Sequence, residues 1–365
     1  MSTVSFFPSR TVALYMARLF LVRTFAILLG LVLVLQTLDL LSTTGDILAA
    51  PGNGQSQIWT YVSLRSPQII SFLLPFCVLL GTILTLITMN QNSEVVALKA
   101  AGLSAHQVLA PLLVASLGVA IVSFVFNDRV VSRSTATLTQ WQNVDYGKMP
   151  IDRGDRANVW VRDGDDLIEV NQTRGRGATT QLGGITLYDR TGGNLRSIVR
   201  ATRGVYVAGG WRVGPGTRFD VASGNLIPFD TLVIGRGIRA DQFTLASVDA
   251  DSLSFGALRA AIADLAESGR PTKALEGSLW HKLSGPLSAI PMPLLGAVAA
   301  FGIARSGKLF VRAVIGMALG FAYFVADNFA LAMGNLGAYP PFLAAWAPFL
   351  LFLFIGEAVL FRTEE

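Results

Sequence analysis

Charge is what this sequence has little of. Only 15% of its 365 residues are Asp, Glu, Lys or Arg, against 52% hydrophobic residues. A soluble domain carries about 25% charged residues. Too little charge remains to hydrate a whole surface, and the mean hydropathy of +0.52 agrees, so lipid must cover part of the chain. Cysteine is nearly absent. Cys77 stands alone in an apolar run, which excludes a disulfide framework and a zinc site built on several thiolates. Histidine is scarce too: His106 and His281 lie far apart. No Ser/His/Asp set, paired-carboxylate site or metal-ligand cluster appears at a persuasive spacing. The chain therefore does not read as an enzyme, and no cofactor or metal is expected in it. The net charge of +5 is modest. In a membrane protein a basic excess marks cytoplasmic flanks and lipid headgroups rather than nucleic acid.

What is there is apolar runs. A spanning helix needs about 20 predominantly apolar residues. Six runs qualify: 20–41, with Arg23 placed to snorkel; 68–89, with Pro75; 107–126; 283–304, with Pro286, Pro291 and Pro293; 313–333, with Asp327; and 342–361, with Glu357. The first is too long for the apolar core of a cleavable signal and reads as a signal anchor. Arg10, Arg18 and Arg23 precede the first run, and Arg305, Lys308 and Arg312 lie between the fourth and fifth. The positive-inside rule then places both termini in the cytoplasm and the long third loop outside.

That loop reads as β. Short β-rich runs at Trp160, 167–170, 185–188, 198–199, 205–207, 211–213 and 232–234 alternate with turn signals at Gly164, Gly183-Gly184, Gly192-Gly193 and Gly209-Gly210. Such spacing fits a sandwich or jelly roll. An amphipathic helix follows, with Phe255, Leu258, Ile262 and Leu265 on one face, Ser254 as its N-cap and Gly269 before Pro271 as its stop. The expected division is 1–127 for spans one to three, 128–250 for the β-domain, 251–276 for the amphipathic helix and linker, and 277–365 for spans four to six.

Several local features bear on function. Residues 93–104 read as a short cytoplasmic helix between spans two and three. Ser93 is its N-cap, Glu94 sits at the favourable end of the helix dipole, and Gly102 ends it. Val95, Leu98 and Gly102 form one stripe beside Lys99. Such a helix either rests on lipid headgroups or docks in a groove of a cytoplasmic partner. The string from Gly302 to Leu309 nearly matches a phosphate-binding loop but lacks the Ser or Thr after Lys308, and a spanning helix precedes it. The chain thus carries no ATPase of its own. Asp39 and Glu357 lie near helix ends, where hydration is cheap. Asp327 lies deeper, either packed beside Asn328 or as a proton-coupling group. Arg129, Arg133 and Lys282 flank the outer interface, as snorkelling anchors or as a basic ring for lipid phosphates. Three readings follow: a transport subunit driven by a separate ATPase, a proton-coupled transporter using Asp327, or a membrane-anchored scaffold.

Three strings sharpen this: residues 92–104, Leu182-Gly183-Gly184-Ile185-Thr186-Leu187-Tyr188, and Trp280-His281-Lys282-Leu283-Ser284-Gly285-Pro286-Leu287. In order and spacing they resemble the LptF/LptG family of lipopolysaccharide-export permeases over nearly the whole chain. Leu38-Asp39-Leu40-Leu41 and the Gly-Gly-Ile strand look more like the LptG branch. The resemblance implies half of an inner-membrane ABC permease, paired with an LptF-like second permease. An LptB-like ATPase dimer would bind ATP and magnesium and seat the helix carrying Ser93, Glu94, Val95, Leu98, Lys99 and Gly102. The outside domain would be a periplasmic jelly roll, joined to an LptC-like single-span protein and an LptA-like bridge. Some relatives carry a lysine in the first span where this chain has Gln36. Lipid contacts are then expected from Gln36, Asp39, Arg129, Arg133 and Lys282.

Overall fold

In the computed structural model, the described residues are 9–147, 156–174, 180–191, 194–207, 209–238, 249–267, 271–301 and 309–364. The chain divides into two compact units, Met1–Lys148 with Ala250–Glu365, and Met149–Asp249.

The first unit is helical. Helix α1 covers Arg10–Ala49, α2 Gln55–Gln91, α3 Glu94–Ala100 and α4 Ala105–Phe126. A π-turn at Asn127–Val131 joins α4 without a break to α5, Ser132–Gln142. After the β-unit come α6 at Phe255–Glu267, α7 at Lys273–Leu287, α8 at Pro291–Phe301, α9 at Leu309–Asn335 and α10 at Pro341–Glu364. Among the described residues, five helices are long and apolar enough to cross a membrane: Arg10–Ala49, Gln55–Gln91, Ala105–Gln142, Val314–Asn335 and Pro341–Arg362.

The fourth expected span differs from the other five. It is two helices, α7 and α8, with a tight turn between them. Pro291 has no N–H, and its ring excludes a helical bond to the Leu287 carbonyl. The chain tightens instead: Ala289 N–H bonds Pro286 O and Ile290 N–H bonds Leu287 O, each three residues back.

The first three membrane helices, α1, α2 and α4 continued by α5, outrun the expected spans. At 40 residues, α1 is about 60 Å long, twice the ~30 Å hydrocarbon core. Hydropathy marks where apolar residues stop, not where the helix stops. Ile47 of α1, Tyr61 of α2, and Leu138 and Trp141 of α5 build a small core of their own on these extensions. Hence the β-domain does not begin at residue 128 as expected: helix continues to Gln142, and the first described strand opens at Arg156. The main core runs between helices, with Phe20, Leu28, Leu79, Leu86, Leu109, Leu112 and Leu295 among its buried members. Close approach depends on small residues: a Cβ on Gly81 of α2 would run into Thr24 of α1. Helix α6 forms with the expected face, Leu258 and Leu265 buried, and Ser254 Oγ accepts from Ala257 N–H at 3.3 Å. The stop at Gly269 lies outside the described residues, as do Gly192-Gly193 and the near-match at 302–308.

The second unit is one antiparallel sheet of eight strands: β1 Arg156–Asp163, β2 Asp166–Arg174, β3 Gln181–Thr191, β4 Asn194–Val207, β5 Gly210–Val213, β6 Gly216–Asp220, β7 Leu226–Phe229 and β8 Leu232–Ile234. The two expected runs at 198–199 and 205–207 are one strand, β4. Strands β6 and β7 were not legible as runs, because Gly and Pro punctuate them. Register simplifies the topology. Strand β4 pairs with β5 from Val207↔Gly210 to Gly204↔Val213, and with β6 from Ala201↔Gly216 to Ser197↔Asp220, in one unbroken phase. Strands β7 and β8 keep one phase too, from Phe219↔Leu226 to Gly216↔Phe229, then Val213↔Leu232 to Trp211↔Ile234. The sheet is therefore a meander of six long strands, the last two each interrupted once. The Greek-key crossovers of a jelly roll do not occur among the described strands, because short hairpin turns force each strand beside its predecessor.

One line crosses all six strands. Asn158, Asn171, Gly184, Thr202, Pro215 and Asp230 fall opposite one another in turn, and regular pairing lapses at each. Burial changes phase there. Strand β2 buries Ile168 and Val170, then Thr173; β3 buries Leu182, then Ile185 and Leu187; β4 buries Val199 and Ala201, then Gly204. This crease keeps the apolar side chains of both halves in one core around Trp211. Gly184, at φ +61°, lies within β3 and not in a turn as its Gly-Gly neighbourhood led one to expect. Gly214 is at φ +146°, and a Cβ there would run into the Asp230 carbonyl. Only glycine meets both demands without strain.

Candidate functional site

Helix α3 forms where expected, but its ends and faces differ in detail. Ser93 precedes it in the left-handed region, φ 61°, and its side chain does not cap. The reversal out of α2 takes priority, because only two residues separate α2 from α3. The expected capping chemistry appears one helix later. Ser104 Oγ accepts from Gln107 N–H at 3.2 Å, and Ser104 N–H donates to Gln107 Oε1 at 2.9 Å. Gly102 ends α3 as expected, at φ +86°. Its N–H bonds Lys99 O, and Leu103 N–H bonds Leu98 O, the paired closure of a Schellman motif.

The stripe of Val95 and Leu98 faces inward. Val95 is 4% exposed, and Leu98 packs against the main core. The outward face is Val96, Ala97, Lys99, Ala100 and Ala101. Glu94 is half-buried, and Tyr15 Oη of α1 donates to its two carboxylate oxygens at 3.3 Å each. Just beyond the α3–α4 turn, His106 Nε2 lies 3.5 Å from Glu357 Oε1 of α10, with Phe361 against the imidazole ring. The corner is thus rigid inside and small-residue-rich outside.

Two of the expected lipid contacts, Gln36 and Asp39, come together in a polar clasp across α1, α2 and α5. Asp39 Oδ1 accepts from Arg65 Nε at 3.2 Å and Nη2 at 3.1 Å. Asp39 Oδ2 accepts from Tyr61 Oη at 2.6 Å. Arg65 Nη1 donates to Gln68 Oε1 at 2.6 Å, and Gln68 Nε2 donates to Thr135 Oγ1 at 2.9 Å. Ser66 Oγ donates to Gln36 Oε1 at 3.1 Å. Among the described residues, the Gln36 Nε2 group is buried without a bond. Asp39 is therefore an interhelical anchor rather than a hydrated end group. Sequence reasoning missed Arg65. Its signal was a lone cation beside an apolar run, within reach of an otherwise unmatched acid.

Arg129 and Arg133 are exposed, one turn apart on the π-turn and α5. Their neighbour Asp128 is directed at α6: its Oδ1 accepts from Phe255 N–H at 2.6 Å. The π-turn is also pinned by Ser71 Oγ donating to Asn127 Oδ1 at 2.5 Å. Lys282 lies half-buried on another element, α7. Arg23 does not snorkel: its Nη1 donates to Leu84 O of α2 at 2.7 Å.

Asp327 meets His281 and not its neighbour Asn328, which bonds Phe324 O. The His281 Nε2–Asp327 Oδ2 distance is 3.8 Å, and Ser284 Oγ lies 3.4 Å from His281 Nδ1. Folding thus assembles a Ser–His–Asp row that spacing concealed. It is not a nucleophilic site. Ser284 is 1% exposed, and both separations exceed the reach of about 2.6–3.2 Å that proton transfer needs. The row ties α7 to α9. Among the described residues no group of His, Cys, Asp and Glu could hold a metal ion.

Long apolar helices, an inserted antiparallel β-unit and a buttressed corner between α2 and α4 define a polytopic membrane protein of the permease class. The comparisons with known proteins are specific. The profile of the lipopolysaccharide export system permease LptF/LptG family matches residues 14–362, and the chain belongs to that family. It is similar to the lipopolysaccharide export system permease protein LptG of Escherichia coli K12, with 24% identity over 309 residues, 83% of this chain and 84% of that protein. It is similar also to LptG of Haemophilus influenzae Rd, with 24% identity over 326 residues, 86% and 89% of the two chains.

Proposed function

We propose that this chain is an LptG-type permease subunit of an ABC exporter in the bacterial inner membrane, and that it moves lipopolysaccharide toward a periplasmic bridge. Family membership across residues 14–362 carries this reading. In it, both termini are cytoplasmic and the β-unit is periplasmic. The chain pairs with an LptF-like permease and works with LptC-like and LptA-like proteins. ATP and magnesium belong to an LptB-like ATPase dimer seated on α3.

The corner supports the last point. A partner's groove meets small, exposed Ala97, Ala100 and Ala101 together with Val96 and Lys99, while Ser93 and Gly102 set the turns at either end. Val95 and Leu98 contribute by locking α3 to the bundle, so that a push on the helix moves the helices behind it. For the lipid, the exposed guanidinium groups of Arg129 and Arg133 are suited to phosphates. Gln36 and Asp39 act through the clasp that fixes α1, and Lys282 adds a third cation from α7. Co-purification of the full chain with a soluble ATPase tests the reading. Capture by the native protein and loss with Val96→Asp are expected; capture of no ATPase refutes it.

A further inference from the structure

Helix α9 packs mostly through small residues. Gly316, Gly320, Tyr323, Ala330 and Gly334 are buried along one face, and Asp327 stands in the middle of it. The large apolar side chains Phe321, Phe324, Val325 and Phe329 are exposed. Among the five helices long enough to span a membrane, this is the least buried. With few apolar side chains to hold α9, its one acid weighs heavily. The Asp327 side chain is 14% exposed, and His281 Nε2 of α7 lies 3.8 Å from its Oδ2. A carboxylate within a spanning helix is costly unless a cation answers it.

His281 can face Asp327 in either charge state without moving. Ser284 Oγ, one turn along α7, lies 3.4 Å from His281 Nδ1. A hydroxyl both donates and accepts. The neutral ring accepts from Ser284 at Nδ1 and keeps its own N–H on Nε2, toward Asp327. The imidazolium donates from both nitrogens. Only the charge facing Asp327 changes. Other ionisable groups near the pair are Lys282, next in sequence, Glu276 on α7, whose Oε1 accepts from Thr272 Oγ1 at 2.5 Å, and Tyr323, one turn along α9. Of the helices packed on α7 and α9, α8 carries no ionisable side chain. On α2, Arg65 is engaged by Asp39 and Cys77 is buried; His106 of α4 and Glu357 of α10 meet each other; α6 presents the exposed Arg259 and Asp264.

We propose that Asp327 is a positioning residue that holds α9 on α7, and that the strength of the hold is set by the charge of His281. With the imidazole protonated the pair is ionic and α9 stays on α7. With it neutral the hold weakens, and α9 is freer to leave α7 as lipid passes. The hold belongs to this chain alone; its effect on lipid passage rests on the permease reading. Neither side chain touches lipid or nucleotide in this scheme.

The test places spin labels on Ala274→Cys of α7 and Ala332→Cys of α9, both exposed positions, in the full chain in phosphatidylcholine vesicles. The natural Cys77 is buried and stays unlabelled. Histidine changes charge between pH 5 and 8, so the label distance is read by electron paramagnetic resonance at about pH 6 and about pH 8. A partly exposed ion pair corresponds to a factor of up to about 5 in an equilibrium. The longer-distance population is expected to rise by up to about that factor at the higher pH. His281→Lys, charged at both values, is expected to keep the short distance throughout. His281→Gln and Asp327→Asn are expected to show the longer distance at both. The same proteins, joined to the partner permease and ATPase, are expected to release lipid per ATP in a pH-dependent ratio when native and in a flat one as His281→Gln. Equal distances at both pH values in the native chain, or a pH dependence that survives in His281→Gln, overturns the hold. A pH-dependent distance with a flat native ratio overturns its part in lipid passage. Failure of the native chain to bind an ATPase removes the permease reading and leaves the distance measurement to decide the hold.

Discussion

Replacement of Asp39 by Ala isolates the polar clasp. Two effects add. Tyr61 is 2% exposed, and its hydroxyl loses the 2.6 Å acceptor; Thr43 Oγ1 at 3.4 Å is too far to replace it. An unsatisfied buried hydroxyl costs about 1–3 kcal/mol. Arg65 loses its ion pair, but its side chain is 36% exposed, so solvent limits that part to about 0.2–1 kcal/mol. The total is about 2.5 kcal/mol, which for a chain of 365 residues lowers the melting temperature by about 3 °C. Tyr61→Phe removes the bond without leaving a buried orphan, since the carboxylate still reaches water. Its cost is about 1 kcal/mol, or ~1 °C. Thermal unfolding of the purified full chain in detergent, followed by tryptophan fluorescence, reads both. Equal shifts for the two variants, or no shift for Asp39→Ala, would refute the argument that an orphaned Tyr61 dominates.

Other outcomes follow from the same geometry. Leu98→Asp, which places a charge against the core, is expected to destabilise the bundle by several kcal/mol (~3–5) and to reduce yield, whereas Val96→Asp is expected to leave folding intact; similar melting curves for the two would show that the inward and outward faces of α3 are misassigned. Gly214→Val combines overlap with the Asp230 carbonyl and a disfavoured φ, a loss of about 2–5 kcal/mol, read as proteolytic sensitivity of the β-unit in the full chain. Arg129→Ala with Arg133→Ala is expected to leave the melting temperature within ~1 °C, because both side chains are exposed, and to lower lipid export. Normal export would remove those arginines from the lipid path.

The clasp and the corner show where legibility in the sequence ended. Apolar runs located the spans because a bilayer demands them locally, residue by residue. They could not show that α1, α2 and α5 continue beyond the lipid, because helix there depends on Ile47, Tyr61, Leu138 and Trp141 meeting from three separate segments. The stripe of Val95 and Leu98 was legible as one face of a helix, but periodicity does not say which way a face points; packing turned it inward. Asp39 and Asp327 were legible as costly acids. Their partners, Arg65 and His281, lie 26 and 46 positions away, beyond any local pattern.

The β-unit marks the same boundary. Alternation and glycine turns were enough to announce short antiparallel strands between the third and fourth spans, and family likeness was written in the strings around Glu94, Gly183 and His281. Glycine in sequence has one spelling whether it makes a turn or a crease. Only the paired register, which aligns Gly184 with Asn171 and Thr202, and Pro215 with Asp230, distinguishes the two. Membrane class, the order of elements and family were determined by the sequence alone, because lipid exposure and chain order act on each segment separately. Which faces are inside, which charges are paired and where the sheet folds were decided by tertiary structure, because each depends on residues that only folding brings within a few ångströms.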